Sequence, residues 1–167
     1  MRKIAVIYDS QSGHTREMAE AVAEGARTVA GTEVRLKTAE EADAQDFLWA
    51  DGLALGSPCH CGLMSAKLKK FIDDSLSAWG KVNGKIGCAF SSAGGAGGGA
   101  EITCLAILIA LLNYGFLVFG LPDYVAPGVT LHYGAVAVGR PNEQQLAACR
   151  LLGERLAKHA AQRTDSE

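Results

Sequence analysis

Ile4-Ala5-Val6-Ile7-Tyr8-Asp9-Ser10-Gln11-Ser12-Gly13-His14-Thr15 is the stretch on which the fold turns. Five apolar residues in succession are too few for a buried helix and suit a strand covered on both faces, the pattern of a parallel sheet. From Thr15 to Ala30 the residues Met18, Val22, Ala26 and Val29 recur at helical spacing, and Gly31 stands where a helix stops. Strand, hydroxyl-rich loop and helix thus form one unit, and the unit repeats. Glu33–Lys37 alternates like a short strand, Glu40–Ala50 reads as an acidic helix, and Gly52–Gly56 is an apolar run suited to a central strand. Ser65–Trp79 places Leu68, Phe71, Ile72, Leu76 and Trp79 on one helical face, with Lys67, Lys69, Lys70, Asp73 and Asp74 toward water. Ile86–Ser91 is a fourth strand, Phe116–Phe119 a fifth, and Asn142–Ala161 a last amphipathic helix.

Five strands separated by helices pair in parallel, because parallel neighbours require crossover connections. An α/β, doubly wound, five-stranded sheet is expected, filling one domain over residues 1–162 with a tail at 163–167. Ligands of such sheets sit beyond the carboxyl ends of the strands, where the winding reverses. Three loops fall there: Asp9–Thr15, Ser57–Met64 and Ser91–Gly99.

The first loop offers three hydroxyls, one glycine and a run of N–H groups at a helix start. That composition suits a monophosphate, and it equally suits an ordinary N-cap. The second, Pro58-Cys59-His60-Cys61-Gly62, sets three metal-type side chains side by side, a spacing that matches no zinc site and has no second ligand pair. No metal is expected; the alternatives are an idle surface loop and a backbone clamp for the edge of a planar ring. The third has five glycines among the nine residues 91–99, the composition of a flexible loop or of a backbone approached closely by something large. Its Gly95-x-Gly97-x-x-Ala100 resembles a dinucleotide fingerprint but stands in the fourth unit, without the first-unit context that motif needs. One phosphate cradle and two ring-sized clamps at a single switch point describe a mononucleotide with a flat head, for which FMN is the candidate.

With these residues in view, SxSGxT after the first strand, GSPxxxGxMSxxLKxFID after the third and SSxGGxGGG after the fourth resemble the flavodoxin-like FMN-binding family. The pattern is closest to the WrbA-type NAD(P)H:quinone oxidoreductases. The resemblance implies a three-layer flavodoxin-like sandwich with sheet order 2-1-3-4-5. It implies that Ser10, Gln11, Ser12, Gly13, His14 and Thr15 hold the FMN phosphate. Pro58, Cys59, His60, Cys61 and Gly62, with Ser91, Ser92, Ala93, Gly94, Gly95, Gly97 and Gly98, would hold the isoalloxazine. Two departures stand out. Residues 37–52 are shorter than the segment WrbA-type proteins carry there, and Asn113-Tyr114 replaces their flavin-facing histidine. Tyr114, His60 or water is therefore the expected proton donor, while His14 and His132 read as solvated. An enzyme taking NAD(P)H as donor and a quinone-like acceptor is expected. The alternative is a flavodoxin shuttling electrons between proteins, which would be strongly acidic and flank the ring with Trp or Tyr. A phosphorylation receiver is excluded by Gly56-Ser57-Pro58, where it would need an acceptor Asp.

Sixteen Lys and Arg against 18 Asp and Glu leave a net charge of −2, which offers no footprint for nucleic acid or an anionic membrane. Five irregularly spaced cysteines do not form a disulfide framework and suit a reducing, cytoplasmic setting; five apolar residues after Met1-Arg2-Lys3 are too few for a signal-peptide core. Ile102–Gly120 is nearly uncharged, yet Asn113-Tyr114-Gly115 divides it into helix and strand. A helix apolar all round needs cover on its outer face, so a homodimer or homotetramer through residues 100–115 is expected.

Overall fold

The computed structural model describes residues 1–125, 127–128 and 132–164. Seven strands and five helices occur among them: β1 (Arg2–Tyr8), α1 (His14–Arg27), β2 (Thr32–Thr38), α2 (Ala44–Trp49), β3 (Gly52–His60), β4 (Leu63–Met64), α3 (Ala66–Asp74), β5 (Ile86–Ala93), α4 (Ala100–Asn113), β6 (Leu117–Val118), β7 (Ala135–Val138) and α5 (Glu143–Thr164). Hydrogen bonding orders the sheet β2-β1-β3-β5-β6, all parallel, with β7 continuing the β6 edge and β4 folded back on β3. This is the doubly wound flavodoxin-like order 2-1-3-4-5, with its fifth strand in two pieces. Leu117–Val118 pair with the start of β5 and Ala135–Val138 with its end, and the chain makes an excursion between them. The expected fifth strand, Phe116–Phe119, covers the first piece only. Of the tail expected at 163–167, α5 takes in residues up to Thr164, and residues 165–167 lie outside the described residues.

The two faces of the sheet follow from residue parity. A Cβ at Gly52 would meet Leu156 of α5, whereas one at Gly87 would meet Leu111 of α4; since Gly52 pairs with Ile86, the residue before Gly87, α5 and α4 cover opposite faces. α1 packs beside α5 at two glycines. Cβ atoms at Gly25 and Gly153 would lie 1.8 Å from the Arg150 carbonyl oxygen and 1.9 Å from that of Val22, so only glycine lets the helices approach so closely. On the α4 face, Phe47 stands among Phe71, Tyr114 and Phe116 with ring centroids 5.0–5.9 Å away. Asp46, buried at the start of α2, is held by Lys37 at 2.9 Å and by the Asp43 N–H, which makes it a structural carboxylate.

The expected helix over Ser65–Trp79 breaks in two. At Ser75 the hydroxyl donates to the Phe71 carbonyl at 2.8 Å, and Ser75–Ala78 continue as a 3-10 turn. The tighter winding rotates Leu76 and Trp79, expected in the core, out to solvent. No helix among the described residues is long and apolar enough to cross a membrane.

Candidate functional site

The carboxyl ends of β1, β3 and β5 lie side by side, and winding reverses between β1 and β3. Here the chain builds its least ordinary backbone. α1 opens at Gly13 and α4 at Gly99, both left-handed (φ 91° and 95°) and, being glycine, neither N-cap residue has a side chain to cap with, whereas α2 and α3 have capping side chains in Asp43 and Ser65. The Ser10 hydroxyl accepts from the N–H groups of Gly13 and Arg16, both at 3.2 Å. With two N–H groups engaging its oxygen, its own O–H is left to donate elsewhere. The N–H groups of Ser12, His14 and Thr15 have no protein acceptor among the described residues, so the loop is both a partial cap and an anion cradle.

Two bonds tie the three loops together. The buried Thr15 hydroxyl meets that of Ser92 at 2.8 Å, joining the cradle to the end of β5. The Cys59 thiol donates to the Gly98 carbonyl at 3.0 Å, joining the second loop to the third. The second loop is itself a hairpin: β3 runs on through Pro58 to His60, turns at Cys61 and Gly62 (φ 51° and 86°), and returns as β4, with Cys59 opposite Met64. Ser57 anchors its base by accepting from the Ser65 N–H at 2.8 Å.

The expected site residues divide accordingly. Ser10 to Thr15, Pro58 to Gly62 and Gly94, Gly95, Gly97 and Gly98 come together at the rim. Ser91, Ser92 and Ala93, expected in the third loop, are instead the last residues of β5; Ser91 is wholly buried and its hydroxyl has no partner among the described residues. Tyr114 is not brought to the rim. It ends the 14-residue α4, about 21 Å along the axis from the Gly99 end, and its buried hydroxyl donates to the Ile72 carbonyl at 2.7 Å. Burial pushes that hydroxyl's pKa up, and Trp79 and Phe47 pack its ring. Of the two candidate proton donors only His60 sits at the site. His132 flanks a segment whose residues 129–131 lie outside the described residues.

One element of the rim is absent from the sequence reading. β7 ends beside Ala93, Gly139 donates to the Ala93 carbonyl at 2.8 Å, and Arg140 reaches Glu17 of α1 at 3.3 Å. The run Ala135-Val136-Ala137-Val138 before Gly139 carried the signal of a buried strand with a stop. Among the thiols, burial pushes Cys88 and Cys104 well up and Cys149 to about 12, which leaves them inert, while Cys61 is exposed and Cys59 partly so. Among the described residues no group of three or more His, Cys, Asp or Glu could hold a metal ion.

The rim fits a phosphorylated planar ligand on its own geometry. Donors without acceptors crown α1, and Cβ atoms at Gly94, Gly95 and Gly97 would meet nothing within 4 Å, so these glycines stand clear on the open side. Comparison with known proteins points the same way. The flavodoxin family model matches residues 6–128. A flavodoxin of Aquifex aeolicus is 58% identical over 163 residues, covering 96% of this chain and 88% of that protein. An NAD(P)H dehydrogenase (quinone) of Methylocella silvestris is 34% identical over 196 aligned positions, covering 96% of this chain and 98% of that one. That alignment exceeds the 167 residues here, so this relative carries segments the chain lacks. Among solved structures, the WrbA-like flavodoxin of Agrobacterium tumefaciens superimposes with a TM-score of 0.79 at 26% identity, covering 97% of this chain and 99% of that one.

Proposed function

We propose that this chain, which belongs to the flavodoxin family, binds FMN at the rim of β1, β3 and β5 and works as an oxidoreductase between NAD(P)H and a quinone-like small molecule. The observation that carries the reading is the openness of the ring end. The hairpin over Pro58–Gly62 and the loop over Gly94–Gly98 contain no aromatic residue, and Cys61, Gly62, Gly94 and Gly95 are exposed. FMN when bound supplies a flavin ring able to exchange electrons in pairs or singly. The protein's part is to hold and present it. Ser10, the free N–H groups of α1 and the Thr15–Ser92 pair take the phosphate end; the backbone of the hairpin and of the glycine loop brackets the ring; half-exposed His60 holds or passes a proton at the rim, a role it shares with water.

A second reading, electron carriage between proteins, is supported by the 58% identity to a protein named flavodoxin and by the segments absent relative to the quinone dehydrogenase. Against it stands the charge of only −2, which gives little for charged docking. Anaerobic mixing of the FMN-loaded protein with NADPH or NADH separates the two. The enzyme reading expects the yellow absorbance to bleach within turnover time and to recover on adding a soluble quinone. A yellow band indifferent to both nicotinamides, yet bleached by dithionite, would assign the protein to carriage.

A further inference from the structure

We infer that a second copy of this chain covers the outer face of α4 together with the groove between α4 and the end of α3. The face exists because of two local facts. Of the 14 residues of α4, Glu101 is the only charged one, so the side turned from the sheet is as apolar as the side turned toward it. The 3-10 turn at Ser75–Ala78 then rotates Leu76 and Trp79 outward to meet it. The result is a groove of about 1060 Å³ floored by Ile72 and Tyr114, which runs from the β4 hairpin to Trp79.

Size argues for a protein surface. Leu63, Leu76, Trp79, Ile102, Ile109 and Leu112 are each 48–64% exposed. At about 200 Å² for a large apolar side chain, these six alone present on the order of 600 Å². A standard interface takes about 800 Å² from each partner, and the groove walls add to the six. So large an apolar patch is not left open on a soluble monomer without a role. Charge and shape argue that the partner is the same chain. In a two-fold interface a patch meets itself, so a rim of one sign would repel its own copy. Here the charges that line the groove are one opposite pair, Lys69 with Asp73 at 2.7 Å, and the chain as a whole is only −2. Each copy also carries both halves of the fit, a ridge of Ile102, Ile109 and Leu112 and a groove to receive it. α4 is about 21 Å long, short of the roughly 30 Å of a bilayer core.

Sedimentation equilibrium of the full chain tests this. The wild type should show twice its 17.5 kDa or a higher even multiple. Ile109→Glu and Leu112→Glu on the ridge, and Leu76→Lys on the opposite wall, should each lower the assembled fraction at least tenfold. Because all three side chains project into solvent in the single copy, circular dichroism and melting of the monomer should be retained. A wild type of single-chain mass throughout the micromolar range would overturn the inference. So would assembly that persists in Ile109→Glu/Leu112→Glu, or a single-chain protein that floats with anionic vesicles, which would give the face to lipid.

Discussion

The hydroxyl pair of Thr15 and Ser92 shows how little holds the rim in register. It is a single buried bond of 2.8 Å between residues 77 positions apart, linking the start of α1 to the end of β5. Thr15→Val keeps the shape but strands the Ser92 hydroxyl away from water, a loss of about 1–3 kcal/mol. Urea unfolding should show a lower midpoint at unchanged slope, and Thr15→Val/Ser92→Ala should cost less than the two single changes added together. Strict additivity would mean that the two hydroxyls do not hold each other. Some of this scale was legible in the sequence. Hydroxyls and Gly13 after a strand announce an anion cradle because residue type alone supplies donors and a left-handed turn. That Ser10 would spend its lone pairs on Gly13 and Arg16, or that Cys59 would donate to Gly98, depends on loop paths that no local pattern encodes. Tyr114 departs from expectation for a related reason: a residue beside a helix end reads as available, and only the packing shows its hydroxyl committed to the Ile72 carbonyl.

Among the elements, glycines of two kinds separate function from architecture. Gly95 stands in open space with an ordinary backbone, so Gly95→Val should leave the melting temperature of the ligand-free protein unchanged and abolish FMN retention. Gly153 lies where a Cβ would collide with the Val22 carbonyl, so Gly153→Ala should destabilise the fold by about 1–3 kcal/mol or more by forcing α1 and α5 apart. If Gly95→Val melted early and still held FMN, the roles would be reversed. Strands β1, β3 and β5 and the helices between them followed from apolar runs and helical periodicity. The split fifth strand did not, because Leu117–Val118 is too short to carry a pattern and its continuation resumes only at Ala135. The phase of the third helix was lost at Ser75, where winding changes from 3.6 to about 3 residues per turn and a correct hydrophobic spacing points the wrong way.

For the molecule as a whole, the sheet order, the switch point and the glycine-led starts of α1 and α4 converge on one rim. The family match gives that convergence its chemistry. Everything proposed about electron donors and acceptors presupposes that this rim takes a flavin by its phosphate as well as by its ring. Titration of the ligand-free protein with FMN and, separately, with riboflavin, followed by quenching of flavin fluorescence, measures that directly. One FMN per chain should bind, and riboflavin should bind at least tenfold more weakly because it leaves the donors of α1 unused. Equal affinity for the two, or no quenching by either, would contradict the account.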